Sequence, residues 1–404
     1  MGSGVASDTA AGDGARVTAR LFMLSIGVFF IGGFLTALVS LLVPRFKAIA
    51  GIGYAEALLV QFASHASYLV FAVPITLVIV RSGYMRSIAT GLGIMAVACL
   101  ALAAANSAQA FALVLGALLL LSLGITFLQI AANTVVAVVG PATGSAARLT
   151  LLQGFNSLGT VLGPLLGASL LLGDTSAGAV GLPFLIGAGI LAVLALAFLA
   201  QRNLLPRSPS EADHRPSPRH LRAALRDRRL VGGTAAIFAY VGAEVTIGAL
   251  LVNYLMRTDI LGVGPVAAGR MVSLYWGGAM VGRFVGAALL QRVSPPLVLA
   301  ASGVAAALLT GVASFATGWT GAGALLAVGL CNSVMYPTIY ALALPADRRA
   351  APVASMLLCM AVVGGAVIPV LTGVAADAAG LGPALLLPAV CYLGIAAFAR
   401  SCRA

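Results

Sequence analysis

Amide side chains occur in two neighbouring apolar stretches of the chain, between positions 123 and 167. Gln129 and Asn133 are four residues apart in the first stretch, so they share one helical face. Gln153 and Asn156 are three apart in the second stretch and share a face in the same way. In hydrocarbon such amides must bond to each other, to water or to a ligand. The pattern therefore predicts a site that binds a polar ligand.

The second half of the chain carries a comparable set of polar residues. Asn253 follows Glu244 in FAYVGAEVTIGALLVNYLM, and Asn332 and Tyr336 are four apart in LCNSVMYPTIYALAL. Amides and tyrosines suit a neutral polyol, because sugar hydroxyls both donate and accept and a sugar ring can lie on an aromatic face. The alternative is that these residues only hydrogen-bond one helix to another.

Glu244 stands out because it is the one carboxyl, of 11 acidic residues, that lies deep in an apolar stretch. No cation lies near it in the sequence, and ionisable groups inside a membrane are mostly functional. We therefore predict that it binds substrate and couples transport to protons. A second polar stripe contains Gln61, His65 and Tyr68, which share one face of another helix. We include Gln61 and Tyr68 as substrate-binding candidates and His65 as an alternative proton-coupling residue.

The composition identifies a membrane protein, since 61% of the 404 residues are hydrophobic and only 8% are charged. Long uninterrupted apolar runs predict an all-α bundle in the lipid bilayer rather than a barrel. The net charge of +12 reflects arginines between the apolar runs, so we expect no nucleic-acid partner. The five cysteines have no spacing typical of a metal site, and we expect no metal or cofactor.

Twelve apolar runs are each long enough to cross a bilayer. They lie at about residues 20–43, 56–80, 87–105, 109–139, 149–173, 180–200, 230–256, 267–290, 296–316, 320–345, 352–376 and 381–400. The predicted domains are a disordered cytoplasmic tail (1–18), an N-terminal six-helix bundle (19–200), a basic cytoplasmic linker (201–229) and a C-terminal six-helix bundle (230–404). Two such pseudo-symmetric bundles are typical of a secondary transporter with its site near the midplane.

The basic residues predict the orientation of the chain. With both termini in the cytoplasm, 18 arginines lie on the cytoplasmic side and three basic residues lie on the other. Arg283 and Arg292 are near the end of the eighth run, and Arg148 precedes the fifth run. We predict that these three act as a conformational latch at the cytoplasmic helix ends.

Five segments resemble one family of the major facilitator superfamily, the fucose–proton symporter and glucose/galactose transporter family. The segments are AANTVVAVVGP with RLTLLQGFNSLG, YVGAEVTIGALLVNYL, NSVMYPTIYALAL, VVGGAVIPVLTGVAADAAG and FFIGGFLTALVSLLVPRFK. The match runs in order along nearly the whole chain. The resemblance implies the major facilitator fold, alternating access, a bacterial inner-membrane location and a monosaccharide substrate.

The chain departs from this family at two carboxyl positions. Where proton-coupled members carry an Asp before the proline of the first helix, this chain has Ser40, and Leu38 replaces the associated Asn. Gln129 replaces the family's Glu before the sequence AAN in the fourth helix. By position, the resemblance still implies substrate contact for four amides of the fourth and fifth helices and one of the tenth: Gln129, Asn133, Gln153, Asn156 and Asn332. Neither Ser40 nor Gln129 can titrate, so both proton symport and uncoupled uniport stay open.

The predicted function is that of a monomeric secondary transporter, not an enzyme, that imports a monosaccharide such as glucose, galactose or fucose. Proton symport and facilitated uniport are the two coupling hypotheses. Efflux of amphipathic drugs and non-transporting ligand sensing are alternatives from other classes. The low aromatic content of 7% and the amide-rich pattern argue against drug efflux.

Overall fold

The computed structural model describes residues 18–38, 54–108, 111–138, 144–172, 177–205, 218–345, 347 and 350–402. Only the backbone is described for 54–66, 106–108, 111–112, 115, 138, 164–165, 167–172, 177–180, 218–220 and 265–266. All regular structure in these ranges is helical. The helices are α1 (Thr18–Leu38), α2 (Tyr54–Ser82), α3 (Tyr84–Ala108), α4 (Phe111–Val138), α5 (Ser145–Leu172), α6 (Ala177–Ala200), α7 (Pro218–Ala224), α8 (Arg228–Met256), α9 (Pro265–Leu289), α10 (Pro295–Phe315), α11 (Gly318–Asn332), α12 (Met335–Ala343), α13 (Ala351–Met360), α14 (Gly364–Ala379), α15 (Leu381–Ala384) and α16 (Leu386–Ser401).

The predicted all-α membrane fold is confirmed. Nine helical segments within the described ranges are long and apolar enough to cross a membrane. Long helices are the solution for such sequences because every backbone group is then bonded within its own segment. The described helices are consistent with the twelve predicted crossings when α11 with α12, α13 with α14, and α15 with α16 are counted as single segments.

Three of these crossings are interrupted at small, local breaks, the third of them at Leu385 between α15 and α16. The segment Gly318–Ala343 breaks after Asn332, where the Ser333 hydroxyl donates to the Leu330 carbonyl at 2.6 Å. A 3₁₀ turn at Ala361–Val363 separates α13 from α14. Side-chain hydroxyls and short 3₁₀ turns satisfy carbonyls that a helix break would leave unbonded.

The chain divides into two compact units, and one of the points at which it passes from one to the other lies between His220 and Leu221. The first unit contains Met1–Arg148, Phe155–His220 and Ala346–Met356. The second contains Leu149–Gly154, Leu221–Pro345 and Leu357–Ala404. The predicted division into two six-helix bundles stays a prediction.

Glycines bring helices α1 and α5 into close contact in the first unit. A Cβ added at Gly33 would lie 2.0 Å from the Asn156 carbonyl oxygen, and one at Gly159 would lie 2.2 Å from the Phe30 carbonyl oxygen. No side chain fits at such distances, so glycine is required where the two backbones approach. This packing aligns α5 and its amides against α1.

In the second unit, helix α8 is the central element and packs against α9, α12, α14 and α16. Its closest approach is to α14, where a Cβ at Gly364 would lie 2.1 Å from the Phe238 carbonyl oxygen. Gly242, one turn further along α8, lies against Ile368 in the same contact. The α8–α14 contact thus repeats the glycine packing that joins α1 to α5 in the first unit.

Candidate functional site

Gln129 and Asn133 on α4 bond to each other, as their spacing predicts. The Asn133 amide nitrogen donates to the Gln129 side-chain oxygen at 2.6 Å and to its backbone carbonyl at 3.0 Å. Asn133 is 1% exposed, and its own side-chain oxygen has no hydrogen-bond partner. Gln129 is only partly buried. The pair therefore presents Gln129 from a fixed position, with a free acceptor on Asn133 behind it.

Asn156 has a structural bond in addition to any role in binding. Its amide nitrogen donates to the Phe29 carbonyl on α1 at 2.9 Å. This bond lies beside the Gly33 contact, where the two helices approach most closely. The interhelical hydrogen bond that the sequence left open as an alternative is therefore present at Asn156. Its partly buried side chain still has an amide oxygen that can accept a bond.

The predicted carboxyl of the second unit, Glu244, is bonded to a tyrosine on its own helix. The Tyr240 hydroxyl donates to the Glu244 carboxylate at 2.7 Å and lies 3.2 Å from the Asn332 backbone carbonyl. Tyr240 is 1% exposed, whereas Glu244 is partly buried. Short O–H···O bonds to a carboxylate are among the stronger bonds in proteins, so the Glu244 side chain is held in one orientation.

Asn332 bonds to a second tyrosine, which connects α11 to α9. Its amide nitrogen donates to the Tyr275 hydroxyl at 2.7 Å, and that hydroxyl lies 3.5 Å from the Glu244 backbone carbonyl. The Tyr392 hydroxyl on α16 is buried near Glu244 and interacts with the Asn332 side chain. Asn332 therefore connects α11 to both α9 and α16.

Arg283 provides a positive charge near Glu244 that the local sequence does not reveal. It lies on α9, 39 positions after Glu244. Its charge acts on both the Glu244 carboxylate and the Tyr240 hydroxyl. The sequence places no cation close to Glu244, but the folded chain brings Arg283 near it from another helix. The predicted latch role of Arg283 stays a prediction, and a role as counter-charge to Glu244 now competes with it.

Tyr336 lies in an aromatic cluster next to these residues. Its ring centroid is 6.3 Å from that of Tyr240 and 6.2 Å from that of Tyr340. Tyr336 is partly exposed, whereas the other two rings are 1% exposed. Tilted ring pairs at this distance pack favourably.

Three of the remaining predicted binding residues have side chains that the structure describes: Asn253, Gln153 and Tyr68. Asn253 on α8 is exposed, while its neighbour Tyr254 is buried and donates to the Ala313 carbonyl at 2.6 Å. Gln153 and Tyr68 are partly buried. Gln61 and His65 lie outside the residues whose side chains the structure describes, as does Ser40.

Arg148 and Arg292 occupy different surroundings. The Arg148 guanidinium Nε donates to the Val136 carbonyl at 3.4 Å, which ties the end of α4 to the start of α5 inside the first unit. Arg292 is exposed in the turn after α9. Their proposed part in a latch stays a prediction.

Three tyrosines near Glu244 were missed by the sequence analysis. Tyr240 could have been found, because it precedes Glu244 by four residues and therefore faces the same side of α8. Tyr275 and Tyr392 are on other helices and carry no local signal that relates them to Glu244. Only the packing of α8 with α9 and α16 brings them together.

The chain is similar to known proteins in family, in sequence and in fold. The model of the Major Facilitator Superfamily matches residues 24–369. The chain is 38% identical over 376 residues to a glucose/galactose transporter of Brucella abortus (strain 9-941), covering 91% of this chain and 90% of that protein. It is 29% identical over 411 residues to the L-fucose-proton symporter of Escherichia coli K12, covering 94% and 92%. The crystal structure of the E. coli fucose:proton symporter FucP matches with a TM-score of 0.85 and 27% identity, over 96% of this chain and 99% of that one.

Proposed function

The chain belongs to the Major Facilitator Superfamily, and from this membership we propose that it is a secondary transporter that carries a monosaccharide across a bacterial inner membrane. The observation that carries the proposal is the 38% identity to a glucose/galactose transporter over nine-tenths of both chains. The proposed orientation has both termini in the cytoplasm, because arginines are concentrated in the intervening loops on that side.

The polar residues of each unit support a sugar as the substrate. In the first unit these are Gln129 with Asn133 behind it, and Asn156. In the second unit Asn332 and the aromatic face of Tyr336 have the complementary chemistry. Amides bond hydroxyls in both senses, and an aromatic ring packs against the C–H face of a pyranose. A cationic or strongly apolar substrate would find few matching groups among these residues.

We propose proton symport, with Glu244 as the group that takes up the proton. Gln129 cannot titrate, and Ser40 cannot replace a carboxyl. Glu244 is held by Tyr240, acted on by the charge of Arg283, and packed among α9, α12 and α16. A carboxyl so enclosed changes its environment whenever the surrounding helices move, which is what coupling of a proton to alternating access requires. Uncoupled uniport is the competing hypothesis.

Transport by purified protein in proteoliposomes tests both parts of the proposal. Counterflow of labelled glucose, galactose and fucose measures sugar transport without any ion gradient, and absence of exchange for all three would contradict a substrate among these sugars. A pH-sensitive dye in the same vesicles measures whether sugar entry carries protons. Proton symport predicts alkalinisation of the outer solution on sugar addition, whereas uniport predicts no change. The Glu244→Gln variant should keep counterflow and lose accumulation driven by a pH gradient.

A further inference from the structure

The Tyr240 hydroxyl has two acceptors on two different helices. One is the Glu244 carboxylate on α8 at 2.7 Å, and the other is the Asn332 backbone carbonyl at the end of α11 at 3.2 Å. A hydroxyl has a single proton to donate, so it can bond strongly to only one of them at a time. We infer that Tyr240 is a two-position switch that transmits the protonation of Glu244 to the helix break after Asn332. This inference rests on the proposed role of Glu244.

The charge of Glu244 decides which acceptor the hydroxyl prefers. An ionised carboxylate is the stronger acceptor, so the hydroxyl then keeps its 2.7 Å bond to Glu244. When a proton binds to Glu244, the carboxyl becomes a donor and its O–H can bond the Tyr240 oxygen. The Tyr240 hydroxyl keeps its own proton and turns it towards the Asn332 carbonyl. The result is a chain of two bonds from Glu244 through Tyr240 to Asn332, with no net loss of protons from tyrosine.

The position of Asn332 makes this second bond consequential. Asn332 is the last residue of α11, where the helical hydrogen-bond ladder ends, and α12 begins three residues later at Met335. Carbonyls at a helix end depend on bonds from outside the helix. Asn332 is fully buried, and its amide already bonds Tyr275 on α9. A new bond to its carbonyl therefore tightens the break between α11 and α12 against α8.

Other titratable groups also lie near Glu244, but the link from its carboxylate to the Asn332 backbone carbonyl runs through Tyr240. From α9 they are Arg283 and Tyr275, from α12 Tyr336, and from α16 Tyr392. At the α8–α14 contact, α14 places Gly364 and Ile368 against α8. Tyr240 is the group whose hydroxyl lies within hydrogen-bond distance of both the carboxylate and the Asn332 carbonyl. The switch is thus assigned to one hydroxyl that can be removed without altering the carboxyl.

The test compares Tyr240→Phe with Tyr254→Phe, which removes another buried hydroxyl from the same helix. Tyr254 also donates to a carbonyl of a neighbouring helix, at 2.6 Å, but has no bond to Glu244. Removing a donor to an ionised carboxylate favours its protonated form. Tyr240→Phe should therefore move the pH at which sugar-driven proton uptake is half-maximal upwards by about one pH unit. Tyr254→Phe should leave that pH unchanged.

Hydrogen exchange at fixed pH tests the link to the helix break. Glu244→Gln carries an amide that donates to Tyr240 as a protonated carboxyl would. A peptide spanning positions 330–336 should exchange about fivefold more slowly in Glu244→Gln than in the wild type, as one additional hydrogen bond implies. The difference should disappear in the double variant Tyr240→Phe/Glu244→Gln. Equal exchange in the single and double variants would overturn the switch.

The two proposals fail in distinguishable ways. If Glu244→Gln keeps accumulation driven by a pH gradient, the proposed coupling role of Glu244 is wrong and the switch falls with it. If that variant loses accumulation while Tyr240→Phe keeps the wild-type pH profile, only the switch is wrong. If Tyr240→Phe moves the profile and Tyr254→Phe does not, both proposals are supported.

Discussion

A methyl group added at Gly364 should separate the helix that carries Glu244 from its neighbour. The Cβ of Gly364→Ala would lie 2.1 Å from the Phe238 carbonyl oxygen and 2.8 Å from the carbonyl carbon. Ordinary contact begins at 3.4 Å, so α14 and α8 must part by roughly 1.3 Å at this point. The obstacle is backbone, so no side-chain rotation relieves the clash.

The expected cost follows from two opposing effects. Overpacking of a tight contact costs about 1–3 kcal/mol, and the replacement of glycine by alanine inside a helix returns at most ~1 kcal/mol. Gly364→Ala should therefore lower stability by about 1–2 kcal/mol. It should also reduce sugar-coupled proton uptake, because α8 positions both Tyr240 and Glu244.

Gly373→Ala provides a matched control on the same helix, since a Cβ there has nothing within 4 Å. It keeps the helix-propensity gain without the clash, so it should be neutral or stabilising by up to ~1 kcal/mol. Thermal unfolding of both purified variants in detergent, followed by the transport assay, gives the comparison. Equal melting temperatures for the two variants would refute the prediction that a methyl group at Gly364 strains the α8–α14 contact.

Three further predictions concern other parts of the molecule. Gln129→Leu should raise the KM for sugar counterflow about tenfold, since a polar contact to substrate is lost, and should lower the free energy of unfolding by about 1 kcal/mol, because buried Asn133 loses its 2.6 Å side-chain acceptor; an unchanged KM would remove Gln129 from the site. Tyr254→Phe should lower the free energy of unfolding by about 1 kcal/mol, because the Ala313 carbonyl loses its 2.6 Å bond; thermal unfolding measures this, and no change would contradict it. The hydrogen bond from Arg257 lowers the pKa of Asp259. The contribution of this pair to folding stability is therefore complete above the ordinary carboxyl pKa, and it is lost only as the pH falls through the lowered value. The small effect of Asp259→Asn on melting temperature should therefore be the same from pH 6 to pH 8, and a change within that range would contradict the assignment.

Predicting each polar residue's partner from the sequence worked only within a helix. The pair Gln129 and Asn133 follows from a spacing of four residues, and the structure shows their bond. Asn156 shows the limit of this approach, because its partner is Phe29, 127 positions away on another helix. Binding and interhelical bonding both use buried amides, so residue type alone cannot distinguish them.

Hydropathy alone determined that this chain is a helical membrane protein, because a bilayer leaves long apolar segments no other way to satisfy their backbone bonds. The segments that resemble known transporters likewise indicated the family before any coordinates. The tertiary structure decided which side chains meet Glu244. Tyr275, Arg283 and Tyr392 reach it from α9 and α16, and their placement depends on how each helix is rotated against its neighbours. Glycine contacts contribute to that rotation, as where Gly329 of α11 lies against the Tyr275 backbone of α9. Such contacts act between backbones distant in sequence and so leave no local periodicity to detect.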